Sequence, residues 1–169
     1  MDYLFSPWRY RYLTEARARE GMPGGECVLC AQLAARDDRE ALVVYRGRLA
    51  AVMLNRYPYT AGHVMVLPLT HCATLRECGA ETRGEIMELA ARAEAALQAE
   101  YRPEGMNVGV NLGAAAGAGI AGHLHLHVVP RWMGDSNFIS VVGETRVLPE
   151  TLEDTYDRLA RAFAAPGGA

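Results

Sequence analysis

Imidazole side chains recur at every second position in His123-Leu124-His125-Leu126-His127, and Val128-Val129-Pro130-Arg131 follows directly. Side chains on a strand alternate faces, so an extended run over these residues puts all three rings on one face, with neighbours roughly 7 Å apart. Leu124, Leu126 and Val128 then form the opposite, core-facing stripe. Three of the chain's five histidines on one strand face suit a nucleophile, a phosphate clamp or a three-histidine metal centre. Clustered titratable groups of this kind mark functional sites. Consecutive same-face positions favour a row over convergence on one ion.

Further candidates lie upstream. Gly113-Ala114-Ala115-Ala116-Gly117-Ala118-Gly119 precedes the histidines. Small residues there let backbone N–H groups, those of Gly117, Ala118 and Gly119 among them, approach a phosphate. Taken alone, the same stretch reads as an ordinary flexible loop. Asn111 opens this loop. Asn55 ends an expected strand, where its amide suits a ribose hydroxyl or simply a turn. His63 suits either a pocket wall or a satisfied core position. Cys27-Val28-Leu29-Cys30 is a CxxC, half of a zinc site or a redox pair. No second CxxC exists, so a zinc centre would need two histidines. Cys72 and Cys78 read as packed thiols.

The elements that must carry these residues follow from periodicity. Ala41 to Tyr45 and Leu49 to Asn55 read as a hairpin about Arg46-Gly47, and 63–68 as a strand ended by Pro68. Ile86, Leu89, Ala90, Ala93 and Leu97 have helical spacing within a helix expected from Glu81 to about Tyr101, closed by Pro103 and Gly105. Met106 to Val110 reads as a strand, and 123–131 as the histidine strand. Flanking helices are expected over 14–20, 27–35 and about 149–163, with a short strand over 139–142. The fold class is α+β: a mainly antiparallel sheet, one long central helix and flanking helices.

The chain has 169 residues, half of them hydrophobic and 22% charged, which fits one domain with a real core. A net charge of −3 gives no footprint for nucleic acid. No apolar run approaches the ~20 residues of a membrane span. The first residues lack a signal-peptide pattern, so a cytoplasmic protein is expected. Four cysteines do not make a disulfide framework.

The run His123 to His127 with its following apolar pair resembles the H-φ-H-φ-H-φ-φ signature of the histidine triad (HIT) superfamily of nucleotide hydrolases and transferases. The segment 54–64 resembles that family's nucleoside-binding stretch, and Pro68-Leu69-Thr70-His71 its P-x-x-H. The resemblance covers roughly 27–131, the core of one HIT-like domain over 1–169. It implies that His125 is the nucleophile, forming a nucleotidyl-histidine, with His123 and His127 flanking it. Asn55, His63, Asn111 and the Gly117-Ala118-Gly119 backbone would contact substrate. The resemblance also implies a Cys27, Cys30, His71 and His123 ligand set for a closed, structural zinc. His123 would then be tied to metal, leaving His127 as the main helper. Many family members carry Gln or Ser where this chain has Ala118 and Gly119.

The flanks Trp8-Arg9, 129–138 and 143–149 look like those of bacterial diadenosine tetraphosphate phosphorylases. This implies phosphorolysis to ADP and ATP. Water in place of inorganic phosphate would make the enzyme a hydrolase. A purine-nucleoside phosphoramidase and a nucleotide-binding protein with little turnover are the other readings. Family members are usually homodimers whose sheets join.

Overall fold

The structure is a computed structural model and describes residues 27–135 and 149–165. The expected helix over 14–20 and strand over 139–142 lie outside the described residues, as do Trp8, Arg9 and the parts 136–138 and 143–148 of the flanks. In chain order the elements are α1 (Val28–Ala34), β1 (Val43–Arg46), β2 (Ala50–Leu54), β3 (Val64–Pro68), α2 (Ala80–Tyr101), β4 (Gly105–Val110), β5 (Leu126–Arg131) and α3 (Leu152–Ala164). A single 3₁₀ turn, Ala114–Ala116, lies in the loop between β4 and β5.

The five strands form one antiparallel sheet in the order β1-β2-β3-β5-β4. Strands β2 and β3 are buried at every position. Their alternation serves two cores. Ala50, Val52, Leu54, Val64 and Val66 face α2 and α3, whereas Ala51, Met53, Met65 and Leu67 face α1 through Leu29 and Leu33. Each large aliphatic side chain so buried contributes about 1.5–3 kcal/mol of transfer free energy.

Helix α2 buries Ile86, Leu89, Ala90, Ala93 and Leu97, the stripe expected from its spacing. It ends on Arg102 in the left-handed region (φ 46°), whose N–H reaches the Gln98 carbonyl, and Pro103 prevents continuation. From its first turns, Glu85 Oε1 accepts the N–H groups of Leu49 at 2.9 Å and Ala50 at 3.3 Å, latching the β1–β2 hairpin to the helix. Helix α3 starts on Thr151, whose hydroxyl accepts the Asp154 N–H at 3.1 Å. The Arg92 guanidinium lies 4.2 Å from the Tyr45 ring centroid and 5.3 Å from that of Phe163, joining α2 to β1 and α3.

The β2–β3 turn packs tightly against α2. Gly62 has φ +75°, and a Cβ there would lie 2.9 Å from Leu97 Cδ2 and 3.2 Å from Tyr101 Cε2. Only glycine meets both the backbone conformation and the close approach. Gly62→Ala is expected to cost about 2 kcal/mol of stability in urea denaturation, combining left-handed strain with overpacking. An unchanged midpoint would mean that the turn relaxes freely.

Candidate active site

The histidine strand is shorter than its periodicity suggests. β5 begins at Leu126, and His123 to His125 lie before it. The reason is the extent of the neighbours: β3 pairs with β5 only as far as Val66 opposite Leu126, and β4 only as far as Val110 opposite Leu126. Upstream, the Leu124 N–H leaves the ladder and donates to the Cys72 carbonyl at 2.7 Å. The chain still alternates through the break, since Leu124 joins Leu126 and Val128 in the α2-side core.

Hydrogen bonds fix what each ring presents. His125 Nδ1 lies 2.7 Å from the carbonyl oxygen of His123. A carbonyl only accepts, so Nδ1 carries the proton and Nε2 keeps its lone pair. Burial pushes the His125 ring below the usual imidazole pKa, with the His123 carbonyl partly opposing, so the neutral form persists at neutral pH. The next ring follows from a chain of donors. The Tyr59 N–H donates to His63 Nδ1 at 3.1 Å, so neutral His63 bears its proton on Nε2. That nitrogen is 3.0 Å from His127 Nδ1, which must accept. His127 therefore presents Nε2–H. The His125 and His127 rings meet edge-to-face with centroids 5.0 Å apart.

His123 faces elsewhere. Its Nε2 donates to the Pro68 carbonyl at 3.0 Å, leaving Nδ1 bare at 3.5 Å from Cys27 Sγ and 3.4 Å from Cys30 Sγ. Burial and the neighbouring His71 and His125 rings hold its pKa down, against the Pro68 carbonyl. His71 Nδ1 lies 3.3 Å from Cys30 Sγ. One ligand atom from each of Cys27, Cys30, His71 and His123 falls within 4.8 Å of the others. Two thiols and two imidazoles at that spacing match a closed tetrahedral donor set and are compatible with zinc. Cys27 caps α1 and Cys30 sits in its first turn, so the cluster ties α1 to the start of the histidine run.

Other candidates are distributed around this pair of clusters. His63 is 1% exposed and satisfied by Tyr59 and His127, which joins it to the histidine group from behind. In the turn after β2, Asn55 Oδ1 accepts the Tyr57 N–H at 2.9 Å, while its Nδ2 lies 3.5 Å from His63 Nε2. Asn111 directly follows β4, whose last residue, Val110, pairs with Leu126 at the start of β5. In the glycine-alanine loop, Gly113 and Gly117 adopt positive φ (81° and 91°), closing a tight turn. The N–H groups of Gly117 and Ala118 donate back to the carbonyls of Ala114 (3.0 Å) and Gly113 (3.3 Å), and Ala118 is buried. These two amides are engaged within the loop, whereas Gly119 has no hydrogen bond among the described residues.

Several supporting groups were not legible in sequence. The carbonyls of His123, Pro68 and Cys72 orient the run, yet every residue has a carbonyl and no side-chain signal marks these. Tyr59 contributes its N–H and a ring 4.6 Å from His63 and 6.0 Å from His127, centroid to centroid. A cavity of about 170 Å³ between the β2–β3 turn and the start of α3 is lined by Leu54, Gly62, His63, Leu152 and Thr155, and does not reach His125. Among the described residues no helix is long and apolar enough to cross a membrane.

Comparison with known proteins agrees with this geometry. The HIT domain model matches residues 36–133. An AP-4-A phosphorylase of Mycobacterium tuberculosis (strain H37Rv) is 40% identical over 169 residues, spanning 97% of this chain and 85% of that protein. Among solved structures, a Zn-bound histidine triad family protein from Mycobacterium smegmatis superposes with a TM-score of 0.66 at 30% identity, covering 82% of this chain and 94% of that one. A hypothetical histidine triad nucleotide-binding protein from Sulfolobus tokodaii gives 0.65 at 25% identity, covering 82% and 92%. With the family model spanning more than half of the chain, the open antiparallel sheet and the imidazole run that leads into β5, this protein belongs to the HIT family.

Proposed function

We propose that the chain is a nucleotidyltransferase that cleaves dinucleoside polyphosphates through a nucleotidyl-histidine, with diadenosine tetraphosphate as substrate and inorganic phosphate as acceptor. The observation that carries this reading is the bare Nε2 of His125, imposed by its Nδ1 bond to the His123 carbonyl, beside the Nε2–H of His127. The 40% identity to a protein named AP-4-A phosphorylase supports the substrate and the acceptor.

In the first step His125 Nε2 attacks the α-phosphorus. The P–N bond forms as the P–O bond to the polyphosphate breaks, and ATP leaves with that electron pair. The imidazolium charge developing on His125 is shared with the His123 carbonyl through Nδ1–H. His127 Nε2–H donates to a phosphate oxygen as charge builds there. In the second step phosphate attacks the same phosphorus, giving ADP and restoring neutral His125. Water in that role would give AMP. Asn55 and Asn111 flank the nucleotide, and His63 acts through His127. Since Gly117 and Ala118 turn their amides inward, phosphate contact from this loop falls to Gly119. Zinc held by Cys27, Cys30, His71 and His123 would be structural, since four protein ligands leave no open position. The exposed β4, at the sheet edge, supports association of two copies.

Incubation with diadenosine tetraphosphate is expected to yield ADP plus ATP only when phosphate is present. AMP plus ATP would assign a hydrolase, and no product a binding protein. His125→Ala should lower turnover by roughly 10⁴-fold or more while leaving nucleotide affinity within a few-fold. Near-normal turnover would remove His125 as nucleophile.

Long-range proton–nitrogen NMR should find the His125 proton on Nδ1 and the His127 proton on Nε2. His63→Phe should disturb only the latter assignment and lower kcat roughly 10- to 100-fold, the scale seen when a group that orients a histidine is lost. An unaltered His127 signal would break the proposed relay.

Purified protein should hold one zinc per chain by elemental analysis. Cys30→Ser should lose it and melt at lower temperature. Full zinc content in that variant would exclude the site.

A further inference from the structure

Cys72 and Cys78 lie outside the chemistry described above. Both are buried, 8% and 3% exposed, in the core facing α2. Their sulfurs are 2.7 Å apart, closer than two sulfur atoms in van der Waals contact, and both cysteines are free thiols. The backbone holds each in place. The Cys72 carbonyl accepts the Leu124 N–H at 2.7 Å, and the Cys78 N–H donates to the Thr74 carbonyl at 3.1 Å. The Cys78 carbonyl also accepts from the Arg83 guanidinium in the first turn of α2. The pair therefore faces across a six-residue separation with little freedom to part. Bonding would bring the sulfurs to about 2.05 Å, a shift of a few tenths of an ångström for each side chain.

We propose that Cys72 and Cys78 are a redox modification site that closes to a reversible disulfide under a hydroperoxide. The Cys72 sulfur, on the more exposed of the two residues, attacks a peroxide oxygen. The O–O bond breaks, water departs, and Cys72 becomes a sulfenic acid. The Cys78 sulfur then attacks the Cys72 sulfur, the S–S bond forms, and the hydroxyl leaves as a second water with the Cys78 proton. Two thiols lose two electrons and two protons, and one hydrogen peroxide becomes two waters. Both thiols are buried, so peroxide reaches them slowly and the reaction calls for prolonged exposure. The closed bond would tie the start of α2 to the carbonyl that supports Leu124, between His123 and His125.

Arg76 lies between the two cysteines, which makes the test direct. Full-length protein is held in hydrogen peroxide at neutral pH, alkylated, and digested with trypsin without reduction. The expected product is peptide 57–76 joined to peptide 77–83, two hydrogens lighter than their sum, absent after dithiothreitol and absent in Cys72→Ser. Cys27 and Cys30 share one tryptic peptide, so a bond between them cannot mimic this cross-link. Separate alkylated peptides, sulfinic acids at either position, or a bond from either cysteine to Cys27 or Cys30 would overturn the proposal. Wild-type protein alone decides the matter if the variant does not fold.

Discussion

The hydrogen bond from His125 Nδ1 to the carbonyl of His123 is the interaction on which the site depends. It exists because the chain at 123–125 lies outside the sheet. In a regular ladder that carbonyl would face a neighbouring strand. Here the neighbours stop at Leu126, and the carbonyl is available two residues before the ring that needs it. A single backbone acceptor thereby selects the tautomer and orients the imidazole.

The same economy governs the other two rings of the run. His123 uses the Pro68 carbonyl to release Nδ1 toward the cysteines, and His127 takes its proton assignment from His63 and, behind it, from Tyr59. Three chemically identical side chains within five residues thus present three different faces: a donor atom toward the thiols, a lone pair, and an N–H. What separates them is the backbone and imidazole partners at their far nitrogens, not their own surroundings alone.

Periodicity foretold much of this. Helix α2, the hairpin and the core stripes at Leu124, Leu126 and Val128 follow from spacing, because burial on one face leaves a period that any reader of the chain can count. The strand start did not follow, since it depends on where β3 and β4 end, and those limits are tertiary. His63 looked like a pocket wall or a core residue in isolation. Only its distance to His127 makes it part of the histidine group. The glycine-alanine loop announced flexibility and close approach. It could not reveal that Gly117 and Ala118 spend their amides on the turn itself. Cys72 and Cys78, unremarkable six residues apart, meet because the turn between them folds back.

Strands β2 and β3 have helices on both sides, and Ala50, Ala51, Val52, Val64, Val66 and Leu67 are wholly enclosed. Enlarging any of them collides with one helix layer, and shrinking one opens a void that no solvent fills. Tolerance to substitution is therefore least at the sheet centre. The enclosed strands hold Met65 opposite His127, so a change of volume at the sheet centre would be felt at the imidazole run.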